Sequence, residues 1–378
     1  MSTTTLPETM QALVLKSTSE PPTVQTVPVP QVRPGTAIVR VLAANIISYT
    51  RHIYNGDRKY PFPTPLIPGT SAIGRIVSLP SDATKLQQND LVFIDCIVRS
   101  RDEPTDVFLA AIVEGGTTGS AKLMREVYRD WTYAEYCRAP IENLIPLNER
   151  TLLGSPKEGG LGYTIPDLAY LAAILVPYGG LRDIRLEAGE TVVVAPATGP
   201  FGGAAVLCGL SMGARVIALG RNTAALARLK EKAPYTERLY TVPLTNDSAT
   251  DLAALQKFGG IDVFFDIGPP EAAKSTHIKT CILSLRHGGR VSLMGGYHED
   301  IPVPHRAIMH RNLTLKGKWM CEREDIFAML KLVETGMLPL GKKGGVEVTG
   351  TFPLGEWKEA WDLAAEKAGF GEYCLLCP

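Results

Sequence analysis

The chain has no surplus of charge: 39 Lys and Arg are matched by 39 Asp and Glu, with no basic run and no interleaving of aromatic with basic residues. Such a surface offers nucleic acid no electrostatic footprint, so a small molecule is the expected partner. No stretch reaches the roughly 18 consecutive apolar residues of a membrane span, and the start, MSTTTLPETMQALVL, lacks a basic segment followed by an apolar one. No membrane partner and a cytoplasmic location are expected. The seven cysteines are odd in number and scattered, which suits reduced, mostly buried thiols. Cys374 and Cys377 form the only C-x-x-C, and with no second pair or two histidines beside it that run reads as a core strand. None of the six histidines stands in an H-E-x-x-H or other paired ligand spacing.

At 378 residues the chain exceeds the size at which one core keeps growing, so two domains are expected. The first 150 residues hold short β-type runs at 11–15, 36–42, 72–78 and 91–94, separated by turn signals, as in a β-rich domain. Residues 99–128 show no clear period and read as a long loop with one helical piece. From about residue 163 helix and strand alternate: helix 168–176, strand 191–195, helix 201–212, strand 215–219, helix 223–232, strand 261–267, helix 271–285, strand 290–294 and strand 313–316. Two amphipathic helices, 322–335 and 356–367, precede a last strand.

Residues 189–222, GETVVVAPATGPFGGAAVLCGLSMGARVIALGRN, join an apolar strand, a glycine turn, an apolar helix and a second strand. This is the sequence form of a dinucleotide site. Gly199 and Gly202 let the backbone approach a pyrophosphate, and the helix after them aims free N–H groups and a positive dipole end at it. Ala197 stands where the G-x-G-x-x-G pattern has its first glycine. The second strand ends in Gly220-Arg221-Asn222, about 20 residues on, where an NAD site places a carboxylate for the ribose hydroxyl. There is no carboxylate here. Gly220 leaves room and the Arg221 guanidinium suits a 2'-phosphate, so NADP (NADPH) is favoured; an ordinary solvated helix-start residue is the alternative for Arg221.

Ordered matches over nearly the whole chain resemble the medium-chain dehydrogenase/reductase superfamily: NIISYTRHIYNG at 45–56, LIPGTSAIG at 66–74, Asn89-Asp90-Leu91-Val92, Tyr133-Ala134-Glu135-Tyr136, Pro177-Tyr178 and the glycine block. Asp266-Ile267-Gly268, His287-Gly288-Gly289-Arg290 and Arg311-Asn312-Leu313-Thr314 follow. The resemblance implies an α/β fold, with a Rossmann doubly wound parallel sheet over 171–317 and a GroES-like β-rich catalytic domain built from 1–170 and 318–378. It also implies a site in the cleft between them. Cofactor contacts are then expected at Ala197, Thr198, Gly199, Phe201, Gly202, Gly220, Arg221 and Asn222, and at Ile267, Gly268, Met294 and Gly295 on later strand ends. Dimers are frequent in the superfamily, and 313–319 would be a pairing edge of a homodimer.

Zinc alcohol dehydrogenases of this superfamily hold the metal with cysteine, histidine and a further cysteine or aspartate. The matching positions here are Ile47, Thr70 in Gly69-Thr70-Ser71, and Ala172, so no metal is expected and the resemblance narrows to the zinc-free quinone oxidoreductase and enoyl reductase branch. Without a Lewis acid, charge developing on a substrate oxygen needs hydrogen-bond donors or delocalisation, which favours an enone, enoyl or quinone acceptor. Tyr49 and His52 match the relay positions of the zinc enzymes, making Tyr49 the candidate proton donor and His52 its partner. Tyr54, Tyr60, Tyr178 and Trp319 are candidates for the substrate pocket. All six also suit plain packing. Two other readings stay open: carbonyl or imine reduction with Tyr49 as hydrogen-bond donor, and an NADPH-binding sensor that has lost catalysis.

Overall fold

Strands form where β-branched and aromatic residues recur, and whether one face or both are apolar decides which sheet a strand joins. The computed structural model describes residues 6–378, which divide into two units. The first takes the described residues up to Ala172 with Val348–Ala368 and Tyr373–Pro378; the second takes Ala173–Glu347 and Gly369–Glu372. Residues 318–347, assigned above to the returning part of the first domain, thus cluster with the second.

The first unit opens on a hairpin of β1 (Thr9–Val14) and β2 (Thr23–Pro28). It continues through β3 (Thr36–Ile46), β4 (Ala72–Ser78), β5 (Leu91–Ile94), β6 (Ile97–Arg99), β7 (Val107–Leu109), β8 (Tyr136–Pro140) and β9 (Leu144–Pro146). In the second unit lie β10 (Thr191–Ala195), β11 (Arg215–Gly220), β12 (Leu239–Pro243), β13 (Ile261–Asp266), β14 (Leu285–Leu293) and β15 (Thr314–Gly317). The chain then returns through β16 (Glu347–Phe352) and β17 (Glu372–Leu376). The large sheet of the first unit runs β16-β17-β3-β4-β5-β9, with β8 on β3. Its core gathers Val39, Val41, Ile76, Val92, Trp131 and Trp361, all buried. The stretch read as a loop with one helical piece at 99–128 holds that piece as the helix Thr118–Glu126, but also contains β7, paired with β6. Thr117 and Ser120 cap that helix reciprocally, a capping box whose second member is a serine rather than the usual Glu or Gln.

The second sheet is parallel throughout, in the order β12-β11-β10-β13-β14-β15. Counted from β10, this is the order 3-2-1-4-5-6 of a doubly wound dinucleotide-binding sheet, with its topological switch between β10 and β13. All five residues of β10 are buried, as a strand covered on both faces requires. The α/β class and the separate β-rich unit are as the residues foretold, with local differences. β12 and the helix Ser248–Gln256 had no expected counterpart. The helix expected over 271–285 is a 3-10 turn, Pro270–Ala272, and a shorter helix, His277–Ser284. Ser275 between them turns its hydroxyl to Asn246 and to the His277 N–H, a local bonding choice that competes with helix. β14 begins at Leu285, and the expected Gly-Gly stop is an irregularity in its register with β13, Gly288 standing at φ +73°. β15 is an outer strand of this sheet. Among the described residues no helix is long and apolar enough to cross a membrane.

Candidate functional site

In the second unit the chain leaves β10 through Pro196-Ala197-Thr198 and enters the helix Pro200–Ser211 with Gly199 at its N-cap. Proline at the first helical position needs no hydrogen-bond partner, and the Phe201 and Gly202 N–H groups have no carbonyl one turn back within the helix. The two glycines differ. A Cβ on Gly202 would stand 2.1 Å from the Pro196 carbonyl oxygen, so glycine is dictated by helix-to-turn packing; one on Gly199 would meet nothing within 4 Å. Gly199 therefore borders open space at a helix N-terminus, which fits the close approach of a pyrophosphate. Ala197 is fully buried and bonds through its N–H to the Leu219 carbonyl (2.9 Å), tying the turn to β11.

At the end of β11, a Cβ on Gly220 would lie 2.8 Å from Thr198 Cγ2. Asn222 is used up locally: its Oδ1 accepts from the Ala225 N–H (3.0 Å) and caps the helix Thr223–Lys232. Arg221 is exposed, and among the described residues its guanidinium has no hydrogen-bond or ion-pair partner.

At the ends of β13 and β14 is a cluster that local reading missed. Asp266 and His277 are both buried, with Asp266 Oδ1 accepting from the Tyr297 hydroxyl (2.7 Å) and lying 3.2 Å from His277 Nε2. Gly268 N–H (3.3 Å) and Gly295 N–H (3.2 Å) donate to the same carboxyl group. Burial, then the Asp266 carboxyl, holds the Tyr297 hydroxyl protonated well above the ordinary tyrosine range. The Tyr297 ring covers both glycines expected at the cofactor: a Cβ on Gly268 would stand 2.0 Å from Tyr297 Oη, and one on Gly295 would stand 2.3 Å from Cε2. Met294 sets its sulfur against Gly180, while Ile267 is partly exposed. No local motif links residues 266, 277 and 297; only the parallel pairing of β13 and β14 could have revealed them.

In the first unit Tyr49 stands at the N-cap of a short helix, Thr50–Tyr54. The Arg58 guanidinium lies 3.7 Å from its ring centroid, and Arg58 Nη1 donates to the Tyr60 hydroxyl (3.2 Å). Neither Arg58 nor the Tyr49 hydroxyl has a carboxylate partner among the described residues. Burial first, then Tyr60, raises the Tyr49 hydroxyl above its usual range, with Arg58 opposing.

Two expectations need correction. His52 is not a partner of the Tyr49 hydroxyl: its Nδ1 meets Asp57 Oδ2 (2.9 Å) and its Nε2 accepts from Arg51 Nε (3.3 Å), because position 52 falls on the outer side of the helix. Tyr54 is core rather than pocket wall. It is buried, stacks on Trp361 at 5.4 Å and spends its hydroxyl on the Ala111 carbonyl (3.1 Å) and the Gly69 N–H (3.2 Å). Tyr178, in the second unit, is buried beside Arg182, and Trp319 is 49% exposed.

The positions that hold zinc in the metal-dependent relatives do not fit the ion. Ile47 and Ala172 carry no donor atom, and the buried Thr70 hydroxyl donates to the Asn45 and Ser71 carbonyls. Among the described residues no group of three or more His, Cys, Asp or Glu is placed to hold a metal. The run Gly209-Leu210-Ser211-Met212-Gly213 spells the G-x-S-x-G of a hydrolase elbow, but Ser211 is the buried last residue of a helix and not the turn after a strand.

Two family models match this chain: the alcohol dehydrogenase GroES-like domain over residues 33–149, in the first unit, and zinc-binding dehydrogenase over 200–335, in the second. An L-threonine 3-dehydrogenase of Ruegeria pomeroyi is 26% identical over 354 residues, which cover 92% of this chain and 94% of its own. Among solved structures, a zinc-binding dehydrogenase from Sinorhizobium meliloti 1021 bound to NADP has a TM-score of 0.73 at 20% identity, covering 98% of this chain and 100% of its own. A short chain alcohol dehydrogenase from E. coli CFT073 complexed with NADH has a TM-score of 0.77 at 16% identity, with the same coverage. One fold thus carries either cofactor, and the choice rests with side chains. With a model matched in each unit and the strand order of a dinucleotide-binding sheet in the second, the chain belongs to the medium-chain dehydrogenase/reductase superfamily of oxidoreductases.

Proposed function

We propose that this oxidoreductase uses NADPH, without zinc, to reduce an activated C=C bond of a small enone, enoyl or quinone substrate. The observation that carries the reading is the pairing of a ligand set that cannot bind zinc with a Tyr49 hydroxyl that has no hydrogen-bond partner among the described residues and an Arg58 against its ring that has no carboxylate partner. In the second unit, Gly199, Phe201 and Gly202 present backbone to the pyrophosphate, and Arg221 meets the 2'-phosphate. Thr198, Gly220 and Asn222 shape the same turn, while Ile267, Gly268, Met294 and Gly295 line the strand ends. When bound, the cofactor supplies a hydride. Tyr49 gives its Oη proton to the electron-rich atom left on the substrate and regains one from solvent; Arg58, a fixed cation, stabilises the tyrosinate in the interval. Tyr60 holds Arg58 in place. With no Lewis acid on the oxygen, an acceptor that spreads its own charge is the one this set can serve.

A second reading, carbonyl or imine reduction with Tyr49 as hydrogen-bond donor, is favoured by the name of the Ruegeria pomeroyi relative. Incubation of an enone with NADPH deuterated at the transferred position separates the two. Label at the β-carbon is expected, whereas label confined to the carbonyl carbon would overturn the first reading.

A further inference from the structure

A groove of about 500 Å³ opens in the first unit, a volume typical of small-molecule sites. Met10, Val14, Val27, Leu66 and Ile67 make part of its wall apolar, and four arginines share the rest. Two of these are neutralised. Arg125 donates to both oxygens of Glu114 (2.8 and 2.9 Å), and Arg129 to both of Asp130 (3.1 and 2.9 Å). Arg33 and Arg138 have no carboxylate partner among the described residues. Arg138 is partly buried. Its Nη2 reaches the Val127 carbonyl (2.9 Å), but its Nε is buried with no hydrogen bond. Burial, and after it the neighbouring Arg33 charge, pull the Arg138 guanidinium below its ordinary range. A half-buried cation with a like charge beside it is unfavourable, Tyr128 and Asp130 offset this only in part, and an anion held by the two arginines would relieve the repulsion. Of the other charges lining the groove, Glu126 is exposed and Asp130 is committed to Arg129 and the Ile67 N–H.

We propose that this groove binds a small organic anion, with a carboxylate or phosphate-type head between Arg33 and Arg138 and an apolar body against Val14, Val27 and Leu66. The guanidinium fork matches either oxyanion, and the aliphatic wall selects a ligand with a hydrocarbon part over a bare ion. The site is independent of the proposed reduction.

The test titrates the full chain with octanoate, octyl phosphate and octan-1-ol, following tryptophan fluorescence, since Trp131 lines the groove, and the melting temperature. Saturable binding of octanoate or octyl phosphate is expected, and whichever binds more tightly identifies the head. Arg138→Gln, and separately the exposed Arg33→Gln, should each weaken it about tenfold or more, in proteins of unchanged circular dichroism. An equal response to octan-1-ol would make the groove merely apolar, and undiminished binding by Arg33→Gln would place the anion elsewhere. Either result overturns the proposal.

Discussion

Arg221 follows a strand whose residues are buried from Val216 onward, yet its own charge points to no protein partner. If a 2'-phosphate is that partner, Arg221→Ala weakens NADPH binding by about 2 kcal/mol, roughly thirtyfold, and leaves NADH nearly unchanged; fluorescence titration with both cofactors checks this. Asp95 makes a different statement. Burial pushes its carboxyl up to about 7, far above its value in an unfolded chain. The folded form therefore prefers Asp95 protonated, and the group costs stability progressively as pH rises from about 4 through 7, after which the penalty is constant. Asp95→Asn keeps an oxygen for the Ile97 N–H but cannot ionise. It should gain on the order of 3 kcal/mol over wild type at pH 8 relative to pH 4, measured by urea unfolding at the two values. Tyr297 marks what single residues conceal: nothing around it in the sequence signals a buried cluster, because its partners Asp266 and His277 come from another strand end and another helix.

Elements were legible in proportion to their burial. β10 and the helix Pro200–Ser211 are apolar throughout, so their limits are plain from composition. β12 is an edge strand with Tyr240 and Pro243 exposed, and its LYTVP shows too little periodicity to separate it from loop. The turn joining β10 to its helix carries two glycines that sequence pattern treats alike and packing does not. Gly199→Ala should leave unfolding free energy within about 1 kcal/mol of wild type while weakening NADPH about tenfold, because its new methyl group enters the open side of the helix N-terminus. Gly202→Ala should cost about 2 kcal/mol or more, because backbone must move to admit a Cβ at 2.1 Å. Denaturation and NADPH titration of the pair test the division. In the first unit the sequence did not reveal which face of the helix Thr50–Tyr54 turns inward, which is why His52 and Tyr54 were misjudged.

For the whole molecule, the mismatch at Ile47, Thr70 and Ala172 has a simple correlate: prolonged dialysis against 1,10-phenanthroline should change neither the melting temperature nor the rate of enone reduction. A fall in either, restored by added zinc, would contradict the proposed metal-free reaction. The course of the chain through the first unit has a further consequence. β17 enters between β16 and β3, with Cys374 opposite Ile46 and Leu376 opposite Ala44. During synthesis β3 emerges early, and the neighbour that completes its hydrogen-bonding edge arrives only after the entire parallel sheet has left the ribosome. A nascent chain would carry an unsheltered apolar edge for most of its translation, so arrest before residue 372 should yield a sticky, chaperone-dependent product even where the nucleotide half has already closed.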